Sequence, residues 1–318
     1  MDRHFDLMAV GESVIDMIST EFTDNLGAAD TYQLFVGGQV TNLAMNTARL
    51  GKRVALATCW GNDSLGYFLE TNLENQHVDL SYVQKTDRAP TTMAIIARNV
   101  RTPDFVIHRG ADALFEHSPA LTDALKHCRI VHTSAFALTR EPARSAIFSV
   151  LEDAQQLGTM ITFDPNYHPG TWPDNTDFIS HLQRAFQLAT VTKPSLDDCE
   201  RILGPGKEPV EYAAEFKEWG ARTVIITMGR EGVFLSDDQD RSYCVQPNNV
   251  DVTDVTGAGD AFWSGLLVGL LEGMSMLRAV RIGQVMAEIK LESMGPIITM
   301  PSWEEITKRS EDISYRDC

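Results

Sequence analysis

The sequence predicts an α/β protein, a doubly wound parallel sheet carrying a small inserted β-sheet, with its ligand site at the strand ends. Three observations point there. Short apolar runs alternate with longer amphipathic stretches along most of the chain, the rhythm of strands joined by crossover helices. Two early segments break that rhythm and lack helical period. The chain has 318 residues, 43% hydrophobic and 22% charged, enough to bury a full core in one unit.

Residues 7–10 read as the first buried strand. Residues 14–36 and 91–109 are the two irregular segments; Thr91-Thr92-Met93-Ala94-Ile95-Ile96-Ala97 and Phe105-Val106-Ile107 are rich in β-branched residues, so a few antiparallel strands are expected there. They would form either a lid, spanning about 13–36 and 91–109, or a hairpin decoration. Residues 41–50 read as a helix, 54–59 as a strand and 65–76 as a helix. The same alternation gives strands at 130–133, 160–163, 188–192 and 223–228, with helices at 142–157, 177–185 and 212–219. Residues 165–177, rich in Pro and Asp, form a loop and not a domain linker.

Composition excludes several classes of function. The 44 acidic and 27 basic residues leave a net charge of -17, which disfavours broad nucleic-acid binding. Cys59, Cys128, Cys199, Cys244 and Cys318 are scattered without a C-x-x-C, so neither a zinc knuckle nor a disulfide framework is expected. Reduced thiols and a cytoplasmic location fit, because residues 7–10 are closed off by Glu12 and do not make a signal peptide. The charge-free stretch 31–48 carries Gln33, Gln39, Thr41 and Asn42, so no membrane span is expected.

The chemistry concentrates near the C-terminus, where Asp254-Val255-Thr256-Gly257-Ala258-Gly259-Asp260 runs into an apolar stretch that reads as a buried helix. Amides of Gly257, Ala258 and Gly259 at that helix start would favour an anion. Asp260 in the first turn is placed to take a proton from a hydroxyl. An anion hole beside a carboxylate base is what phosphoryl transfer to an alcohol needs. The same letters also spell a plain glycine turn with a capping Asp. Other nucleotide motifs are absent: no G-x-x-x-x-G-K-[ST], no G-x-G-x-x-G, no H-R-D and no D-F-G occurs.

These residues resemble the ribokinase, or PfkB, family of carbohydrate kinases. Gly37-Gly38-Gln39-Val40-Thr41-Asn42-Leu43-Ala44, Leu50-Gly51 and Gly61-Asn62-Asp63-Ser64-Leu65-Gly66 are similar to its N-terminal signature, and Asp254 to Asp260 to its D-x-x-G-A-G-D signature. With the segment Gly11 to Asp16, the matches span almost the whole chain in family order. The resemblance implies a Rossmann-like three-layer α/β/α body with a β-sheet lid, ATP and Mg²⁺ as cofactors, a sugar or similar alcohol as substrate, and pairing of two copies through the lids. It leaves a monovalent cation such as K⁺ open. By resemblance, Asp260 is the base, Gly257, Ala258 and Gly259 line the anion hole, and Asp16 and Asn42 bind sugar hydroxyls beside Gly37 and Gly38. Thr227-Met228-Gly229-Arg230-Glu231-Gly232 resembles the nucleotide-binding turn, which assigns Thr227, Gly229 and Gly232, with Lys193, to ATP.

The sequence departs from the family in two places. Many relatives carry N-x-x-E where this chain has Ser195-Leu196-Asp197-Asp198; Asp198 offers an oxygen for water-mediated Mg²⁺ but reaches about one methylene less far. Asp164-Pro165-Asn166-Tyr167-His168-Pro169-Gly170-Thr171-Trp172 resembles the D-P-N-x-R-x-x-L-W segment of fructokinases and 2-keto-3-deoxygluconate kinases, with Asn166 among the substrate contacts. His168 replaces the arginine that, with a lid arginine resembled by Arg109, holds a sugar acid in the keto-acid kinases. A largely neutral imidazole cannot replace a bidentate guanidinium, so a neutral fructose-like or ribose-like sugar is expected. The alternatives are a keto-acid kinase, a nucleoside kinase of the same family, or a non-catalytic sugar sensor.

Overall fold

The central sheet takes its two-sidedness from strand β1 (Phe5–Val10). Met8 and Val10 enter one buried apolar cluster and Leu7 and Ala9 another, because successive side chains leave a strand on opposite faces. This computed structural model describes residues 4–23, 25–98, 105–173, 176–293 and 300–318.

In chain order β1 is followed by β2 (Val14–Phe22), β3 (Tyr32–Gly37), α1 (Gln39–Arg49), β4 (Val54–Gly61), α2 (Ser64–Glu74) and β5 (Asp79–Thr86). Next come β6 (Met93–Arg98), β7 (Phe105–His108), α3 (Pro119–Leu125), β8 (Cys128–Ser134), α4 (Ala143–Gln156), β9 (Met160–Asp164), α5 (Phe178–Leu188) and β10 (Val191–Thr192). The chain ends with α6 (Leu196–Leu203), α7 (Pro209–Glu218), β11 (Thr223–Thr227), β12 (Val233–Ser236), β13 (Ser242–Val245), α8 (Ala258–Leu271), α9 (Met276–Leu291), α10 (Trp303–Asp312) and β14 (Tyr315–Asp317).

Ten of these strands form one sheet in the order β14-β13-β12-β11-β10-β9-β8-β1-β4-β5. Pairing is parallel from β5 across to β11 and antiparallel from β11 to β14. Residues of α3, α4, α5 and α7 fill the apolar cluster on one face, and those of α1, α2, α8, α9 and α10 fill the other. That is the three-layer arrangement expected. The run 188–192 does not make one strand: Leu188 ends α5, where the Ala189 N–H still donates to Ala185, and only Val191 and Thr192 pair.

The two irregular segments form a separate four-stranded sheet, ordered β3-β2-β6-β7. As expected, β2 pairs with β3 and β6 with β7 antiparallel, but the two pairs join in parallel, with Asp16 on β2 opposite Ala94 on β6. The chain passes through α1, β4, α2 and β5 before it returns, a crossover that brings β6 back in the direction of β2. Residues 99–104 of the expected 91–109 segment lie outside the described residues, as do 174 and 175 of the 165–177 loop.

The cysteines need a second correction. Cys244 on β13 and Cys318 just beyond β14 are joined as a disulfide, while Cys59, Cys128 and Cys199 are free and buried. Pairing of β13 with β14 sets Cys244 opposite Arg316 and brings the two cysteine Cα atoms to 5.9 Å, a proximity that a spacing of 74 residues does not announce. Among the described residues no helix is long and apolar enough to cross a membrane.

Candidate active site

Two helices begin at the site, and each begins on a glycine with positive φ. Gly38 (φ 94°) precedes α1 and Gly257 (φ 78°) precedes α8, conformations that a side chain would strain. At Gly38 an added Cβ would also press on the Glu12 carbonyl oxygen at 2.9 Å. Asn42 in the opening turn of α1 donates from Nδ2 to Oδ2 of Asp260 in the first turn of α8, at 2.9 Å. The two signature motifs, 218 residues apart, therefore meet at one hydrogen bond.

Asp260 lines a cleft of about 390 Å³ with Asp16, Gly38, Asn42, Asp164, Asn166, Lys193, Asp198, Thr227, Gly257 and Gly259. Burial pushes the Asp260 carboxyl up to about 7; the Asn42 hydrogen bond opposes this, the nearby Asp164 and Asp16 reinforce it, and Lys193 opposes it. Burial alone lifts Asp16 to about 7. The Asp16 carboxyl occupies the space a Cβ on Gly37 would need, which is why that position is glycine. At the start of α8, the Ala258 N–H is turned back to Val255 O at 3.3 Å. Among the described residues the Gly257 and Gly259 N–H groups meet no protein acceptor, so two of the three expected amides are available to a ligand.

A buried polar layer supports the cleft. Lys193 Nζ lies 3.6 Å from Asp164 Oδ2, with both side chains about 5% exposed or less, and Trp263 Nε1 donates to the same oxygen at 2.8 Å. Lys193 Nζ also comes within 3.6 Å of where a Cβ on Gly259 would sit, so its charge borders the glycine turn. Asp198 accepts from the Tyr167 N–H (2.7 Å) and, on its other oxygen, from the Ser195 N–H (2.9 Å) and hydroxyl (2.6 Å). It thus caps α6 while facing the cleft. Gln39, which the motif reading passed over although it follows the glycine pair, lines the cleft and meets His132 Nε2 at 3.0 Å. Burial drives the His132 pKa down to about 3, so it is a neutral partner.

Thr227 and Gly259 are shared with a second, larger cleft of about 630 Å³. Gly229, Gly232 and Ala258 line it, as do Val250, Val252, Val255, Phe262 and Leu291. Apolar walls with a few amides suit a flat heterocycle. Four acids but only one base line the smaller cleft, and among the described residues no three metal-ligating side chains cluster. Asp164 and Asp198 supply hard oxygen donors that each keep a lone pair for a bound water, so the donor set fits a Mg²⁺ held mainly by phosphates and water.

Not every expected contact is in the cleft. Arg109 lines neither cavity; its guanidinium pairs with buried Asp112 at 2.8 Å, donates to Phe136 O at 2.9 Å and Thr139 Oγ1 at 2.6 Å, and lies over the Phe136 ring. His168 stacks edge-on against Phe105 of β7, its ring centroid 4.9 Å away, and accepts the Gly170 N–H on Nδ1. Burial and Arg201 lower its pKa, so it stays neutral.

Residues 5–303 match the family pattern described as pfkB family carbohydrate kinase. The ATP-dependent 6-phosphofructokinase of Thermoanaerobacterium thermosaccharolyticum is 32% identical over 307 residues, covering 96% of this chain and 94% of that one. The fructokinase structure from Halothermothrix orenii is 33% identical with a TM-score of 0.77, covering 88% of this chain and 97% of that one. A putative ribokinase II from E. coli, solved with ATP and Mg²⁺, superposes with a TM-score of 0.84 over 97% of this chain and 99% of its own at 20% identity, a likeness of fold alone. The two signatures, the sheet order and the Asn42–Asp260 junction thus have one common explanation: this chain belongs to the pfkB family of carbohydrate kinases.

Proposed function

We propose that this ATP-dependent sugar kinase transfers the γ-phosphoryl group to a hydroxyl of a neutral, fructose-like sugar, with Asp260 as the base. One observation carries the reading: Asp260 and the free glycine amides stand where the small acidic cleft meets the larger apolar one. The sugar lies in the first and the nucleotide in the second, so that donor and acceptor meet at Gly257 to Asp260. Asp16 and Asn42 accept from and donate to adjacent hydroxyls, and Asn166 closes the far side. Asn42 fixes the Asp260 carboxylate, which takes the hydroxyl proton as the new O–P bond forms and the bond from the γ-phosphorus to the β–γ bridging oxygen breaks, releasing ADP. The Gly257 and Gly259 amides, with Lys193, stabilise charge that develops on the transferring group. Thr227, Gly229 and Gly232 bound the nucleotide side. Mg²⁺, when bound beside Asp198 and Asp164, neutralises phosphate charge.

The neutral sugar follows from charge. Asp16, Asp164, Asp198 and Asp260 face the cleft, and its one cation, Lys193, is already paired with Asp164. With Arg109 committed to Asp112, His168 neutral, and Lys290, which borders Asp16 and Asn42 in an adjoining pocket, paired with Asp254, a carboxylate or phosphate on the sugar meets no uncommitted cation among these described residues. A second reading, a hexose phosphate, is favoured by the 32% identical relative named 6-phosphofructokinase. Coupled ADP release against fructose, ribose, fructose 6-phosphate and 2-keto-3-deoxygluconate decides. Turnover of fructose or ribose at the highest kcat/KM supports the proposal; a preference for either anionic sugar refutes the charge argument.

The second sheet serves as a lid over the sugar, since it carries Asp16. Phe22, Leu34 and Val106 are exposed large apolar side chains on it, which supports pairing of two copies through their lids. A monomer mass by light scattering at micromolar concentration refutes this. A cytoplasmic location follows from the ATP requirement, and a monovalent-cation requirement is read by replacing K⁺ with tetramethylammonium in the same assay.

A further inference from the structure

A buried carboxylate in the wall of the larger cleft has no part in the reaction above. Glu288 on α9 is 7% exposed, and among the described residues no lysine or arginine pairs with it. Its three partners are neutral donors: the Asn248 N–H at 2.8 Å and Gln284 Nε2 at 2.9 Å on Oε1, and Asn248 Nδ2 at 3.0 Å on Oε2. In both side-chain contacts the amide nitrogen donates to a carboxyl oxygen, so both amides turn an N–H toward Glu288. This fixes orientations that an isolated amide would leave open. Gln284 Oε1 and Asn248 Oδ1 are thereby turned away from Glu288, and both residues line the cleft with it. Each amide thus commits one N–H to Glu288 and directs its oxygen away from it.

We propose that Glu288 is a positioning residue for base selection, setting Gln284 and Asn248 as acceptors that read an exocyclic amino group and reject a ring oxo group. The inference rests on the nucleotide occupying the larger cleft. Adenine carries a 6-amino donor where hypoxanthine carries a 6-oxo acceptor, and the two bases have nearly the same shape. Where Gln284 Oε1 meets the oxo group two acceptors oppose each other, and an unmet polar contact is a strong source of discrimination between isosteres. In Glu288→Gln the new amide can itself donate, which frees Gln284 to rotate and present its NH₂. Gln284→Leu removes the outward acceptor and leaves the Glu288–Asn248 contacts in place.

The test is calorimetric binding of ADP and of IDP, with Mg²⁺ and without sugar, to the full chain and both variants. Far-ultraviolet circular dichroism checks that each variant is folded. The parent is expected to bind ADP at least about tenfold more tightly than IDP, and each variant is expected to bring the ratio within about threefold. A purely structural role would weaken both nucleotides equally and leave the ratio unchanged in both variants, which would overturn the proposal. Equal binding of ADP and IDP by the parent would overturn it while leaving the nucleotide cleft intact; binding of neither would overturn both.

Discussion

Gly37→Ala separates stability from sugar recognition. An alanine Cβ at position 37 would overlap the Asp16 carboxyl group, which lies opposite it across the β2–β3 pair. The backbone there needs no positive φ, and the overlapping atoms belong to the Asp16 side chain and not to backbone. Folding should therefore lose less than about 1 kcal/mol, because Asp16 swings aside at small cost. Function should lose far more, since the displaced carboxyl no longer meets the sugar. A hydrogen bond to a charged group contributes about 1.5–3 kcal/mol, and each 1.4 kcal/mol is about tenfold in binding. Loss of one such bond raises the sugar KM by about 10- to 100-fold, with the KM for ATP unchanged. Steady-state kinetics with each substrate varied, beside thermal unfolding, reads both quantities. An unchanged sugar KM in a variant of normal stability would show that Asp16 does not bind the sugar.

Three further outcomes follow from the same geometry. Gly38→Ala should behave oppositely to its neighbour, losing about 1–3 kcal/mol of stability in urea titration because φ is 94° and the Cβ meets backbone; a stable variant would refute the strain. The log of kcat/KM should rise with pH and level off near 7, because Asp260 must be ionised to accept a proton and burial holds it near 7; a profile flat from pH 5.5 to 8.5 would remove Asp260 from that role. A carboxyl raised in the folded state binds protons more tightly there than when unfolded, so its burden on stability grows as pH rises from about 4 to 7. Asp260→Asn should accordingly raise Tm more at pH 8 than at pH 5, and an equal shift at both would contradict the raised pKa. Lys193→Met leaves buried Asp164 without its cation, which should cost about 3–5 kcal/mol; unaltered urea stability would refute the pair.

The parts of this molecule legible in sequence are those written in local pattern. The glycine turn into α8, the Gly37-Gly38 turn into α1 and the apolar strands are contiguous, so propensity and periodicity expose them. What joins distant segments is not. Trp263 and Asp164 meet across 99 residues and His132 and Gln39 across 93, contacts that no local period encodes. Strand β5, with its mixed burial, and the edge strand β14, exposed throughout, lack the apolar run that marks a covered strand. Arg109 reads as a substrate ligand by its resemblance to a lid arginine of the keto-acid kinases; only the fold reveals Asp112, Phe136 and Thr139 as its partners.

The central claim is that Asp260 removes the proton from a sugar hydroxyl during transfer from ATP. It is tested most directly by ADP release and calorimetric sugar affinity measured together on the parent and Asp260→Asn, a substitution that keeps an oxygen for the Asn42 bond. The account predicts a fall in kcat of about 10²–10⁴-fold with sugar affinity within about threefold of the parent. A folded variant that retains kcat within about tenfold would contradict it.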